Sequence, residues 1–329
     1  MKAFSKITVF ALAAISSASF LCSCEMEYYK EELYRKEIFI VSEENNIIGQ
    51  EFDYGGDEGL LAIYASGTIG VEEDVTVTLG IDPNAIGEYN QRNFDTQFDS
   101  YAMELPAANY SINPMQVKLE AGSCEARCPI MVNVDDLLPD ETYFIPLRIE
   151  SVSFYMASST KNFVLFEVFR KNNYATTKSA TYYTMNGTAQ EGWVIDNIFG
   201  SNTRRQAINS SKLVLPIDAN SIRILPAAKV LSAKTEIRNS SIRVTIDPNS
   251  WVNVPIYSEG ELTDKVKPMQ KVTLSPYIDS NDAITVIASP KDVCAYDPET
   301  KTFYLYYLCK LASENRWFEV RETMIRAQY

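Results

Sequence analysis

From Ile38 onward the apolar side chains of this chain recur at every second position, a repeat that a β-strand converts into one buried face. Residues 74–79 (DVTVTL) alternate cleanly, and residues 127–134 and 143–150 do the same. Residues 37–41, 60–64 and 162–170 complete a first set, with Gly, Pro, Asn and Asp between them. Strands of this length between such turn residues predict an antiparallel sandwich. Helical spacing is confined to residues 85–92 and to a turn at 135–138. The expected fold class is therefore all-β.

A polar, aperiodic run, Lys171-Asn172-Asn173-Tyr174-Ala175-Thr176-Thr177, follows the first set. Single cores rarely grow far beyond 250 residues, so a chain of 329 favours two domains, and the boundary is placed at this run. Residues 38–170 are expected to form the first sandwich and residues 171–329 a second β-sandwich or barrel-like domain. Within the second, residues 179–185, 192–196, 212–217, 241–246 and 283–288 read as strands. Residues 293–307 read as a hairpin turning at Asp297-Pro298, an order that suits a type I turn. Residues 316–322 give one more strand. Ile81-Asp82-Pro83-Asn84 and Ile246-Asp247-Pro248-Asn249 echo each other where two strands end, which shared turn chemistry explains without duplication.

The first residues read as an address. Lys2 and Lys6 flank a short basic region, an apolar run extends from Ile7 to Phe20, and Leu21-Cys22-Ser23-Cys24 closes it. This is the layout of a secretory signal peptide over residues 1–23. The last four residues resemble a bacterial lipobox, in which Cys24 is lipidated and the attached chains anchor the protein. Residues 24–37 are charged, lack a strand pattern and read as a tether. The acidic pair Glu25 and Glu27 resembles a surface-export signal, so the expected location is the outward face of the outer membrane.

The chain has 43 Asp+Glu against 30 Lys+Arg, a formal net charge of −13, and no histidine. Phosphate backbones would repel it, which excludes nucleic acid as the expected partner. Without histidine, Ser-His-Asp and Cys-His catalysis and the commonest metal ligand are absent. No cofactor or metal is expected. Cys124 and Cys128, four apart in a strand, would have Cα atoms about 13 Å apart, too far to bridge. With Cys294 and Cys309 they are expected to be buried free thiols. The acidic loop Asp53-Tyr54-Gly55-Gly56-Asp57-Glu58-Gly59 fails the EF-hand spacing and reads as a solvated turn.

Several spaced segments then resemble a known pair of modules. Ile81-Asp82, Glu88-Tyr89-Asn90, Tyr101, Glu104-Leu105-Pro106 and Tyr110 run in that order before Lys118-Leu119-Glu120-Ala121-Gly122 and residues 143–149 (YFIPLRI). This series resembles the Bacteroidota module DUF1735, an immunoglobulin-like sandwich at the start of surface lipoproteins. Residues 296–304 (YDPETKTFY), with Arg316 and Glu322 downstream, resemble the companion module DUF4361. The resemblance implies a surface lipoprotein of a polysaccharide-uptake system and carries over no catalytic residues.

Sugars present apolar C–H faces that stack on flat rings, so exposed tryptophans beside polar groups are candidate glycan contacts. In the strand around Trp317, Glu319 and Arg321 share its face; Trp251 shares its face with Asn253. These five residues are the stacking candidates, with Trp317 or Trp251 expected to contribute to a glycan platform, while Trp193, in step with Ile195, reads as core. The expected function is non-enzymatic binding of extracellular glycan for uptake. The alternative is a structural or adhesive surface protein that binds a protein partner. A carboxylate-pair hydrolase is a third possibility, for which 43 acids offer no distinguishable pair.

Overall fold

In the computed structural model of the chain the described residues are 35–258, 261–289, 292–314 and 316–327. The expected signal peptide, Cys24 and residues 24–34 of the expected tether lie outside them. The described chain is almost all β, as the period of two predicts, and its curled sheets form two units.

The first unit begins with β1 (Glu37–Ile40), β2 (Ile47–Asp53), β3 (Asp57–Ala65) and β4 (Val75–Ile81). Helix α1 (Ala85–Phe94) follows, then β5 (Met103–Glu104), β6 (Tyr110–Ser111), β7 (Gln116–Leu119) and β8 (Glu125–Val132). β9 (Tyr143–Val152), β10 (Met156–Ala157) and β11 (Phe163–Lys171) complete it. One sheet has the order β10, β1, β3, β8, β6; the other runs β2, β11, β9, β4, β7, with β5 added against β9. Inward side chains of both sheets, among them Ile38, Ile40, Leu61, Ile63, Val77 and Leu147, meet in one core. Helix α1 lies over the outer face of the second sheet. Its Tyr89 packs edge-on against Phe144 with ring centroids 5.0 Å apart. Asn90 accepts the Ala102 N–H at 2.8 Å and donates to the Ala102 carbonyl at 2.9 Å, which ties the helix to the loop after it. Phe144 and Leu165 are buried on an outward face for this reason.

The second unit contains β12 (Thr181–Ile195), β13 (Ile198–Gly200), β14 (Gln206–Asp218) and β15 (Ser221–Ile224). Helix α2 (Lys234–Ser240) leads to β16 (Ile242–Ser258), β17 (Glu261–Pro276) and β18 (Thr285–Ala288). β19 (Ala295–Asp297), β20 (Thr302–Lys310) and β21 (Trp317–Arg326) end it. β12 pairs β14, and β15, β16, β17, β19, β20 and β21 follow in turn. β21 pairs back to β12, every pair antiparallel, so the ladder closes on itself. Of the two expected forms, sandwich or barrel, the pairing gives the closed one, which leaves no open edge along those strands. Its interior is filled by Tyr183, Met185, Ile222, Val244, Phe303, Leu305 and Met324.

One polar group breaks that interior. Lys212 Nζ lies 2.6 Å from Glu322 Oε2, with both side chains buried. Tyr307 donates to Glu322 Oε1 at 3.1 Å and accepts the Ala227 N–H at 3.0 Å, which fastens the loop that precedes α2. Burial pushes Lys212 down and Glu322 up, each opposed by its partner.

The units are joined by charge. Asp140 sits 2.6 Å from Arg223 and 2.8 Å from Arg238, while Glu141 takes Arg238 at 2.6 Å and Lys234 at 2.8 Å. Arg170, nearly buried, donates to the carbonyls of Leu138 and Glu141 and so holds the acidic loop in place. Asn172 donates to the carbonyls of Asp218 and Ser221 across the same junction. The echoed turns share one device: Asp82 and Asp247 each accept the N–H two residues on, at 3.0 Å. All four described cysteines are free. Burial pushes Cys294 up to about 11 and Cys309 up to about 12, so neither is a ready thiolate.

Candidate ligand-binding cleft

The outer face of the first sheet departs from the usual antiparallel pattern, in which outward positions are polar. Phe39 pairs with Tyr64, and Tyr64 with Glu125, so these three form one row across β1, β3 and β8. Ala62 pairs with Arg127 in the next row, where Val41 continues β1, and Leu60 pairs with Pro129 beyond it. Both strands are apolar on both sides: Ile38-Phe39-Ile40-Val41 and Leu60-Leu61-Ala62-Ile63-Tyr64. On the other sheet α1 covers the apolar outward face. Among the described residues no helix covers this one.

An open cleft of about 460 Å³ results, floored by Phe39, Val41, Leu60, Ala62 and Tyr64 and walled by Ile48 and Gln50 of β2. Its size falls within the range of small-ligand sites. Gln50 forms the wall by bridging β3, donating to the Leu60 carbonyl at 2.7 Å and accepting its N–H at 3.0 Å. The rings of Phe39 and Tyr64 lie 6.2 Å apart with their planes 36° from parallel, giving a broad aromatic surface. At one end Glu125 accepts from the Tyr64 hydroxyl at 2.6 Å and from Arg127 Nε at 2.7 Å. These two bonds hold the Glu125 carboxyl below its ordinary range, and Glu125 in turn raises Tyr64 and Arg127. Glu125 therefore stays ionised as an acceptor and Arg127 stays a donor. Glu125 is the one carboxylate among the lining residues, whereas glycoside hydrolysis ordinarily needs two.

The five expected stacking residues occupy two separate places. Trp251 is 52% exposed and pairs with Gln270, which pairs with Tyr296 of the interior, so it extends the inner face of the ring. Asn253 is exposed two residues further along the β16–β17 arm. Trp317 is half-buried on the outer wall, opposite Gly192, at the other end of the ring. Glu319 is buried and bonded by Arg205. Arg321 is tied to Asp292 at 3.0 Å and lies over the Tyr306 ring. The fold thus does not bring Trp251 and Asn253 to Trp317, Glu319 and Arg321.

Trp193 is a correction. It reads as core by parity but is 46% exposed. Past Gly192 the partner of β12 changes from β21 to β13, and among the described residues this two-stranded wing has no second layer to bury either face. The cleft itself carried a signal in the sequence. Two strands apolar on both sides ask for cover on both sides, and only one side faces the core.

Two family models match the chain, one of an N-terminal domain over residues 34–156 and one of a C-terminal domain over residues 162–325. No curated protein matches it. A solved Bacteroides ovatus protein of unknown function is similar in fold at 16% identity, TM-score 0.54, covering 88% of this chain and 93% of that one. A Bacteroides ovatus multidomain protein including DUF1735 is similar at 15% identity, TM-score 0.53, covering 87% and 93%. So is a Bacteroides thetaiotaomicron protein described as an auxiliary nutrient binding protein, at 17% identity, TM-score 0.55, covering 85% and 90%. The two family models together span most of its length, so the chain carries this N-terminal and this C-terminal domain.

Proposed function

We propose that this protein is a non-catalytic binding protein that captures extracellular glycan for uptake, anchored by a lipid on Cys24 and facing outward from the outer membrane. The observation that carries the reading is the cleft: an aromatic floor beside a hydrogen-bonded carboxylate and guanidinium, on a sheet face that no described helix covers. Pyranose rings need both parts, a flat apolar surface for their C–H face and fixed polar groups for their hydroxyls. The lone carboxylate supports binding over hydrolysis. The auxiliary nutrient binding protein of similar fold agrees with this role.

Native-gel electrophoresis through a panel of soluble polysaccharides tests it. At least one should retard the protein, and replacing Phe39 and Tyr64 together with Ala should weaken that retention about tenfold or more with the melting temperature little changed. Retention by none of them would overturn the reading. A structural or adhesive surface protein is the second reading, favoured by the apolar surface that continues from Leu60, 40% exposed, past Pro129 to Met131, 47% exposed. It predicts a protein ligand for the same face and no polysaccharide retention.

A further inference from the structure

We infer that the cleft takes a neutral glycan and that Glu125 and Arg127 together read two adjacent hydroxyls on it. This inference rests on the glycan-binding reading above. The two residues stand two apart on β8 and point to one side, so a carboxylate and a guanidinium lie next to each other at the end of the aromatic floor. Among the described residues each Glu125 oxygen has one bond, Oε2 from Tyr64 and Oε1 from Arg127, and each keeps a further lone pair. Arg127 is engaged through Nε alone among the described residues, and its side chain is 65% exposed, so both Nη groups face outward.

Acceptor and donor are therefore presented side by side. Of two neighbouring sugar hydroxyls, one can donate to Glu125 while the other accepts from Arg127. A uronate fits the same place poorly. Its carboxylate would be drawn to Arg127 and repelled by Glu125 beside it, and the net charge of −13 adds to the repulsion. Tyr64 sits in the same row as Glu125, so a ring stacked on it brings its edge to the pair.

The test compares neutral polysaccharides (mannan, xyloglucan, β-glucan) with polygalacturonate in native gels at low salt, for the wild-type protein and for Glu125→Gln. Wild type should be retained by at least one neutral polymer and pass unchanged through polygalacturonate. Glu125→Gln should lose about tenfold in neutral retention and gain retention in polygalacturonate that fades as salt is added. Arg127→Ala should lose the neutral retention without that gain, and its melting temperature checks that the sheet is intact. Retention of wild type by polygalacturonate overturns the inference while glycan binding stands. So does neutral retention unaltered in Glu125→Gln. Retention of wild type by no polymer removes the underlying reading instead.

Discussion

Lys212→Met is expected to destabilise the second unit by about 3–5 kcal/mol, far more than the loss of one hydrogen bond, because it strands Glu322 inside the closed ladder. The side chains of Lys212 and Glu322 are 5% and 0% exposed, and among the described residues the only further bond to the carboxylate comes from Tyr307. A buried carboxyl without its cation takes up a proton, so Glu322 in the variant titrates higher still. A group whose folded value lies above its unfolded value contributes stability at low pH and loses it as pH rises. The deficit of Lys212→Met should therefore be smallest near pH 4 and grow toward neutrality. Adding Glu322→Leu removes the stranded charge and should recover most of the loss, to within about 1–2 kcal/mol of wild type. Denaturant melts of the three proteins at two pH values measure this. Equal stabilities for Lys212→Met and the double variant would show that the buried charge is not the cause.

The second large effect is expected at the junction. Asp140→Ala leaves Arg223, whose side chain is 7% exposed, without its carboxylate and should cost about 3–4 kcal/mol. Burial pushes the Asp140 carboxyl up, but Arg223 and Arg238 outweigh it, and the group ends below its ordinary value of 3.8. A depressed value means stability that is present above the unfolded pKa and lost as pH falls through the folded one. Wild type should accordingly lose stability below about pH 4, and Asp140→Asn should show a flatter acid limb. The Tyr54 hydroxyl, which donates to the Pro216 carbonyl at 3.0 Å across the same junction, provides a local probe. Acid unfolding curves that superimpose for wild type and Asp140→Asn would contradict the assignment.

Much of this fold is written in local pattern. Val75, Val77 and Leu79 alternate with Thr76 and Thr78, and β4 buries the first set. Asp297-Pro298 turns the β19–β20 hairpin as its residues predict. Long-range features left weaker traces. Residues 261–276 (ELTDKVKPMQKVTLSP) carry two prolines and five charges, so β17 shows little alternation, and its ladder with β16 is what defines it. Lys212 and Glu322 are 110 positions apart, and nothing near either announces that β12, lying between β14 and β21, brings them onto one inner face. Trp251 and Trp317 each have the polar neighbours that parity assigns, yet parity cannot say that one extends the inside of a ring and the other stands on its outer wall. The cleft was readable in Phe39, Val41, Leu60 and Tyr64 as outward apolar positions, but recognising it needed to know that α1 lies over the opposite sheet.

The central claim is that ligand settles on Phe39, Leu60 and Tyr64, and side-chain oxidation by hydroxyl radicals measures it most directly. The protein is footprinted alone and with a saturating amount of the polysaccharide that retards it most, and the oxidised residues are read by mass spectrometry. Oxidation of Phe39, Leu60 and Tyr64 is predicted to fall several-fold, while that of Trp193 and Trp251, 46% and 52% exposed, stays the same. Protection of Trp251 or Trp317 with the three cleft residues unchanged would contradict it.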